Sequence, residues 1–468
     1  MEKTKKSLFG PMDLTKGTCW KTILIFSLPV ILSYLLQQVY SISDAAIVGQ
    51  TLTAQEVAGV NDTTSLVFIF LQFAFGVSAG FCVVTSCQVG ARNQAGVRRS
   101  LATQIVLSAA LTVLLTALAL ALLNPMLAWI NVTPDNAEVY RAAYTYCFII
   151  FAGIGAQLFY NFICAFLRSM GDSLTPLLFL LFSTVLNVGL DLLFIMVFRW
   201  GVAGAAIATV AAQVLSAGLV LGVLTRSRGC YRIQWRGMRM HRGILRNIFV
   251  VGVPSALQLA ITSFSNVFVQ SYVNRFASSC MAGWAAYQKI DAFVILPMTT
   301  LSVTATTFVG QNVGAGNWDR AKQGIRCALA MATVVTGVLL VPLMVFAQPL
   351  CTLFNQEPEV LGYGVYFIRL ISPFYLVANF NQIYAGALRG AGDAKVPMVI
   401  MLGSFVVFRQ LYLFVTYQVA GTLLPVALGY PVGWVVCSGV LLWYYRSGRW
   451  MAHSLVTPAG RGTDRERE

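Results

Sequence analysis

LRSMGD at residues 167–172 returns as LRGAGD at residues 388–393, and a proline follows four residues after each copy, Pro176 and Pro397. The offset of 221 residues is close to half of the 468-residue chain. Each copy is a short charged turn between two long apolar runs. The sequence therefore predicts two copies of one membrane-embedded unit, an arrangement that is common among transporters.

The composition excludes an ordinary soluble domain. Hydrophobic residues make up 57% of the chain, charged residues only 10%, and the mean hydropathy is +0.73, whereas soluble proteins carry about 25% charged residues. Runs such as 101–130 and 327–356 are nearly free of charge and exceed the roughly 20 residues that cross a bilayer as a helix. They do not alternate as barrel strands do. We predict an all-α polytopic membrane protein.

Twelve spans are predicted, at residues 21–47, 57–87, 101–123, 140–165, 174–198, 202–225, 247–270, 281–309, 326–347, 361–387, 396–418 and 425–446. Of the 32 Lys and Arg residues, 26 fall on one side of this topology and 3 on the other. The positive-inside rule then places both termini and the loop 226–246 in the cytoplasm. This topology accounts for the net charge of +15, so nucleic-acid binding is not expected. Pro11, Asp13 and Lys16 interrupt the N-terminal region, so no cleaved signal peptide is expected.

An even number of spans per copy makes both copies enter the membrane in the same direction. The expected fold is therefore two six-helix lobes related by a pseudo-two-fold axis along the membrane normal. Pro29 in the first span matches Pro254 in the seventh, which supports this division. We predict an N-lobe at residues 1–225, a cytoplasmic linker at 226–246, a C-lobe at 247–446 and a cytoplasmic tail at 447–468.

The residues that most enzymes need are scarce. The chain has only two histidines, His241 and His453, and its ten cysteines are scattered without a CxxC pair. No nucleophile motif is present, and the outer loops are short. We therefore expect no enzyme activity, no disulfide framework and no bound cofactor other than a coupling ion. A channel is disfavoured by the two-lobe duplication.

Carboxylates inside the predicted spans are costly to bury and indicate function. Asp44 and Asp191 both reach the outer half of the membrane by the rise of about 1.5 Å per residue. Asn187 lies one turn from Asp191 on the same face, and Thr209 enters from the sixth span at similar depth. Two carboxylates, an amide and a hydroxyl suit Na⁺ or a shared proton. The alternative is that Asp44 caps a helix and Asp191 pairs with Arg199.

The second lobe has a different charge pattern. Its spans carry Lys289, Asp291, Arg369 and Arg409, and we expect Asp291 to pair with one of the two arginines. These residues form either a structural ion-pair network or a polar lining that contacts substrate. Ion coupling is therefore expected in the first lobe, and the three basic residues weakly disfavour a substrate set limited to organic cations.

The order and spacing of several motifs resemble the multidrug and toxic compound extrusion (MATE) transporters. The resemblance covers about residues 16–446 and rests on these segments: SLP at 27–29, DAAIVG at 44–49, LRSMGD at 167–172, LNVGLD at 186–191, GVAGAAIAT at 201–209, QNVGAGN at 311–317 and LRGAGD at 388–393. It implies that Asp44, Asn187, Asp191 and Thr209 form a cation site in the N-lobe. Two departures exist: Cys87 stands where the family usually has Gln, and residues 252–270 lack the acidic residue that some members carry.

The expected function is cation-coupled antiport, driven by Na⁺ or H⁺, that exports amphipathic organic compounds by alternating access, with Pro29 allowing the first span to bend. The resemblance implies a multi-pass protein of the cell membrane whose partners are a small amphipathic substrate and the lipid bilayer. A monomer is expected. The alternative is a flippase for lipid-linked precursors. Such a protein would favour a basic cavity, and Arg369 and Arg409 support this alternative.

Overall fold

The computed structural model describes residues 11–130, 132–226, 232–233, 238–452 and 455. Every regular element in these residues is helical, and eleven helices are long and apolar enough to cross a membrane. A twelfth helix of 18 residues, Gly429–Arg446, follows the short helix Leu423–Ala427. Its tyrosines, tryptophans and proline make it less apolar than the other eleven. The predicted all-α polytopic fold with twelve membrane helices is confirmed.

The twelve spans are numbered in chain order and run Cys19–Thr51, Ala54–Gly90, Gln94–Ala121, Ala137–Ser169, Leu174–Val197, Gly201–Arg226, Arg242–Val273, Ser278–Gly314, Trp318–Val345, Pro358–Gly390, Lys395–Ala420 and Gly429–Arg446. Short helices, Leu123–Trp129 and Ala347–Thr352, follow spans 3 and 9. The same irregularity therefore occurs at equivalent places of the two repeats.

Four spans are locally distorted. Span 8 is interrupted at Ile295, two residues before Pro297, and span 10 tightens into a 3₁₀ turn at Ser372–Phe374. Proline causes both distortions because its ring removes one backbone donor and clashes with the preceding turn. Spans 5 and 11 contain π-helical turns at Leu192–Val197 and Gly403–Phe408. No proline lies in these two turns, and we did not expect them from the sequence.

The two repeated turns have the same backbone geometry. Gly171 and Gly392 adopt φ angles of +86° and +100°, which L side chains rarely tolerate. In both copies the N–H of the closing aspartate donates to the carbonyl of the opening leucine at 3.0 Å. Each turn ends one span and begins the next through an aspartate side chain that accepts a backbone N–H three residues later. The sequence repeat is thus a structural repeat.

The described residues divide into two compact units. Unit 1 contains Leu28–Phe249 together with Pro11 and Met12, and unit 2 contains the chain from Val250 onward together with Asp13–Ser27. Spans 1 and 7 therefore each begin in one unit and continue in the other. The predicted lobe boundaries remain predictions. Residues 227–231 and 234–237 of the proposed linker, and 453–454 and 456–468 of the proposed tail, lie outside the described residues.

Helix pairing follows one pattern in both units. In unit 1, span 4 packs against spans 2, 3 and 6, span 2 against span 3, and span 5 against span 6. In unit 2, span 10 packs against spans 8, 9 and 12, span 8 against span 9, and span 11 against span 12. Every pair recurs six spans later, as a six-helix repeat requires. Among the described residues, spans 1 and 7 pair less closely with their neighbours than the other ten do.

Glycines allow the closest helix pair of each unit to form. A Cβ on Gly59 in span 2 would lie 2.7 Å from the carbonyl oxygen of Val139 in span 4. A Cβ on Gly283 in span 8 would lie 2.9 Å from the carbonyl oxygen of Val360 in span 10. Small residues let helix backbones approach in membranes, where packing replaces the hydrophobic effect as the driving force for association.

The segment before span 1 is bound to unit 2. Leu14 is fully buried, and its N–H donates to Gln311 Oε1 at 3.1 Å. The guanidinium of Arg320 donates to the carbonyl oxygens of Lys16 and Gly17, at 2.6 Å each. Span 1 leaves unit 2 after Ser27 and so passes into unit 1 just before Pro29.

Candidate functional site

Three spans of unit 1 bring the predicted cation-site residues together. Asn187 and Asp191 lie one turn apart on span 5, and both are fully buried. Asp44 of span 1 and Thr209 of span 6 are half-buried. Asp191 is the last residue before the π-helical turn Leu192–Val197. Such single π turns are frequent at functional sites because they shift side chains out of the regular register.

The four side chains form a connected group. Asn187 Nδ2 donates to Thr209 Oγ1 at 3.5 Å. The carboxyl groups of Asp44 and Asp191 lie close enough to each other to interact directly. Two carboxyl groups can share a hydrogen bond only when one of them carries a proton. When both are ionised, a cation is needed to offset their repulsion.

Two tyrosines complete the group. Tyr40 lies close to Thr209 and to both aspartates. Tyr146 of span 4 is also close to both. Tyr40 lies four residues before Asp44 on the same helix face, so the sequence contained a signal for it. Tyr146 is a neutral residue in a largely apolar span, and nothing in the sequence distinguishes it from the other tyrosines there.

Several oxygens of the group are buried without a hydrogen-bond partner. They are Oδ1 of Asp44, both carboxylate oxygens of Asp191, and Oδ1 of Asn187. Buried polar atoms are rarely unpaired, so this concentration suits an external proton or cation. No group of three or more His, Cys, Asp or Glu able to hold a metal occurs in the described residues. Two carboxylates with neutral oxygens match a monovalent cation or a proton better than a transition metal.

The predicted pairing of Asp291 with Arg369 or Arg409 is wrong. Asp291 instead accepts hydrogen bonds from the hydroxyl groups of Tyr375 and Tyr287, which also contact each other at 3.2 Å. Neither arginine lies within ion-pair distance of this carboxylate. Tyrosine hydroxyl groups supply the hydrogen bonds that this buried carboxylate needs. The sequence alone does not show whether a tyrosine or an arginine will be its partner.

The three basic residues of unit 2 have different environments. Lys289 is exposed and lies over the ring of Phe354, 5.3 Å from its centre, and Arg369 is exposed. Arg409 is buried, with 2% of its surface exposed. The structure therefore does not bring Lys289, Asp291, Arg369 and Arg409 together as one ionic network.

Both repeats of the chain are similar to known proteins. The MatE family model matches residues 29–193 and 254–415, one match in each repeat. The probable multidrug resistance protein YpnP of Bacillus subtilis is 30% identical over 445 residues, which cover 95% of this chain and 99% of YpnP. The probable multidrug resistance protein YoeA of the same organism is 27% identical over 442 residues, covering 92% and 94%.

A solved structure shares the fold. A multidrug resistance MATE family transporter of the MOP superfamily, in an outward-facing conformation, is 23% identical with a TM-score of 0.87, covering 96% of this chain and 99% of that chain. At this identity the likeness establishes the fold alone. The family match over both repeats establishes more: this chain belongs to the MatE family, and it is a multi-pass membrane transporter of small molecules rather than an enzyme.

Proposed function

We propose that this protein is a cation-coupled antiporter that exports amphipathic organic compounds across the cell membrane by alternating access. The observation that carries the coupling is the contact of Asp44 with Asp191 and the buried, unpartnered oxygens around it. The names of YpnP and YoeA as probable multidrug resistance proteins support the substrate class. The protein functions as a monomer, with both termini in the cytoplasm.

The coupling ion is Na⁺ or H⁺, and the same residues serve either. Na⁺ would take its ligands from Asp44, Asp191, the Asn187 amide oxygen and the Thr209 hydroxyl. A proton would instead be shared by the two carboxyl groups. Protons compete with Na⁺ for these oxygens, so stimulation by Na⁺ should increase as the pH rises.

Ion occupancy biases the conformation of span 1. Asp44 lies on span 1 and Asp191 on span 5, so an ion that draws the two carboxylates together also draws the two helices together. Pro29 provides the point at which span 1 bends. Exchange follows if the ion and the substrate each bind more tightly to a different conformation.

A cleft in unit 1 provides a route for the ion. Its volume is about 430 Å³, and its lining includes Thr53, Glu56, Glu138, Arg141, Thr145 and Trp200. The cleft shares Ala142 and Val202 with an apolar cluster, against which Tyr146 packs. Since Tyr146 is also close to both aspartates, this cluster separates the cleft from the carboxylates. We expect the cluster to loosen when the ion passes.

Efflux of rhodamine 123 from proteoliposomes tests the proposal. A Na⁺ gradient and a pH gradient are imposed separately on wild type, Asp44→Asn and Asp319→Asn. Asp319 is an exposed carboxylate in the first turn of span 9 and controls for the substitution itself. Gradient-driven efflux by wild type and Asp319→Asn, with loss in Asp44→Asn, would support coupled antiport and identify the ion.

Two outcomes would contradict the proposal. Asp44→Asn could respond to the gradient as the wild type does, which would remove Asp44 from the coupling site. A folded wild type could bind the dye yet respond to neither gradient. The second outcome would favour the flippase for lipid-linked precursors, an alternative that the buried charge of Arg409 supports.

A further inference from the structure

Arg409 carries a charge that no neighbouring carboxylate balances. It lies in span 11 of unit 2 with 2% of its surface exposed. In the part of the chain that the structure describes, the ion pair within 4 Å joins Lys16 and Asp13, and Arg409 has none. A guanidinium stays charged in proteins, and burying an unpaired charge costs several kcal/mol. Such residues within a membrane span are rare and usually functional.

One edge of this guanidinium has a donor without a partner. Nη2 donates to Ser265 Oγ and to Asn266 Oδ1, both at 2.9 Å, while Nε is buried without a partner. Nε and Nη2 together form the edge with which arginine binds a carboxylate or phosphate through two parallel hydrogen bonds. The face of the guanidinium packs on the ring of Tyr430, whose centre lies 4.8 Å from Arg409 Cζ.

The two acceptors on Nη2 differ in how easily they can be displaced. Ser265 is fixed, because its hydroxyl also donates to the Phe405 carbonyl and accepts from Gln410 Nε2, each at 2.8 Å. Asn266 has an exposed side chain. The buried guanidinium is therefore separated from the surface of unit 2 by the Asn266 side chain to which it donates. Rotation of the Asn266 amide would replace an acceptor oxygen by a second donor and open the Nε–Nη2 edge to an oxyanion.

The single acid nearby does not compete for this edge. Asp291 accepts from Tyr375 and Tyr287, so its charge is already stabilised by hydroxyl donors. Tyr430 is close to both Asp291 and Arg409, but these two charged groups form no ion pair with each other in the described residues. Unit 2 therefore offers a buried cationic donor, whereas the polar group of unit 1 is anionic.

We propose that Arg409 anchors an anion-binding site in unit 2, where its Nε–Nη2 edge takes the carboxylate, sulfonate or phosphate of an amphipathic molecule and Asn266 gates access. As a statement about transported substrates, the proposal rests on the proposed export function. Binding itself needs no gradient and can be measured independently. The site would give the protein a class of anionic or zwitterionic substrates, which an acidic cation site alone cannot recognise.

Equilibrium binding of two matched dyes in detergent tests this site. Fluorescein and rhodamine 123 share a xanthene frame and differ in the sign of their net charge, and fluorescence anisotropy gives a Kd for each. Arg409→Met and Arg409→Gln are expected to weaken fluorescein binding by about tenfold or more, as for loss of hydrogen bonds to a charged group. Arg409→Lys, which keeps the charge without the bidentate edge, should lie between. Rhodamine 123 binding should stay within about twofold of wild type.

A second variant keeps the test valid if Arg409 is needed for folding. Asn266→Asp has nearly the same shape at an exposed position and places a carboxylate on Nη2, so it should abolish fluorescein binding and leave rhodamine 123 binding intact. Arg275→Met is the matched control, because this exposed arginine of unit 2 also stacks on tyrosines, Tyr272 and Tyr417. It should change neither Kd.

Three results would overturn the anion site. Wild type could fail to bind fluorescein in a preparation that binds rhodamine 123. Asn266→Asp could bind fluorescein as wild type does, or the Arg409 variants could lose both dyes equally while remaining folded. Phosphatidylglycerol added as a competitor separates two sources of the anion: displacement of fluorescein at low lipid content assigns the site to a lipid headgroup, and no displacement assigns it to a soluble substrate. Failure of gradient-driven efflux leaves these binding results unaffected.

Discussion

Asn187 and Thr209 are joined by a hydrogen bond from the amide nitrogen to the hydroxyl, 3.5 Å long, which leaves the amide oxygen of Asn187 buried and unpartnered. Unit 2 contains a similar pair with a different outcome. Asn379 Nδ2 donates to Thr336 Oγ1 at 3.1 Å, and the threonine hydroxyl lies 3.3 Å from the asparagine oxygen. The amide in unit 2 is satisfied internally, whereas the amide in unit 1 keeps an oxygen for a ligand.

Thr209→Val should weaken binding of the coupling ion. Valine keeps the shape of threonine but removes one oxygen of the proposed ion shell and the acceptor that orients Asn187. We expect the ion concentration for half-maximal efflux to rise by about tenfold or more, since a hydrogen bond or ligand to a charged group contributes roughly 1.5–3 kcal/mol. The maximal rate at saturating ion should change little. Ion titration of efflux from proteoliposomes measures both quantities.

Thr336→Val is the control for this prediction. It makes the same change in the buried Asn379–Thr336 pair of unit 2, in which the two side chains hydrogen-bond to each other. It should lower stability by about 1 kcal/mol, the usual contribution of a neutral hydrogen bond, with no change in ion dependence. An equal shift in ion dependence for both variants would show that Thr209 acts through packing rather than as part of the ion site.

Pro29→Ala should slow transport without weakening ion binding. Proline interrupts the hydrogen bonds of span 1 just after the chain passes from unit 2 to unit 1, and alanine restores them. A straighter, stiffer span 1 is expected to be more stable by up to about 3 kcal/mol and to exchange conformations more slowly. Efflux rate, ion titration and thermal unfolding in detergent separate these effects.

Pro342→Ala in span 9 tests whether any removed proline has this effect. Pro342 lies inside a helix that belongs to unit 2 throughout, so its removal should stabilise the helix and leave the efflux rate unchanged. A similar loss of rate in both variants would mean that general rigidity, and not bending of span 1 at Pro29, limits transport.

Much of the cation site could be predicted because it depends on depth along regular helices. Asp44, Asp191 and Thr209 lie on three predicted spans, and a constant rise per residue places them at one level. Asn187 follows from helical periodicity. The π-helical turn after Asp191 could not be predicted, because it shifts the register without any proline or glycine to mark it.

The incorrect predictions concern the interaction partners of buried groups, because the sequence does not show which of several possible partners lies closest. Charge complementarity favoured an arginine for Asp291, but two tyrosine hydroxyls lie closer. The prediction assumed that an ion pair is the cheapest way to bury a carboxylate. In a membrane the desolvation of both ions makes hydroxyl donors a comparable solution. The attachment of Asp13–Ser27 to unit 2 was also missed, because it depends on side chains about 300 residues away.

Arg320→Ala should release the segment that precedes span 1. Arg320 donates to three backbone carbonyls, those of Leu14, Lys16 and Gly17. Because each bond from a charged donor contributes roughly 1.5–3 kcal/mol, losing them should raise the open fraction of this segment more than tenfold. Trypsin cleavage after Lys16, followed by mass spectrometry, measures that fraction when opening is fast relative to cleavage.

Lys322→Ala is the matched variant, since it removes a basic residue and one tryptic site from the same helix, and Lys322 forms no ion pair with the segment in the described residues. It should leave cleavage after Lys16 at the wild-type rate. If Arg320→Ala also behaves like wild type, the burial of Leu14 and its hydrogen bonds with Gln311 and Asn312 are enough to hold the segment in place. If only Arg320→Ala is cleaved faster, the start of span 1 is fixed to unit 2 by this arginine, and bending at Pro29 has a fixed end against which to act.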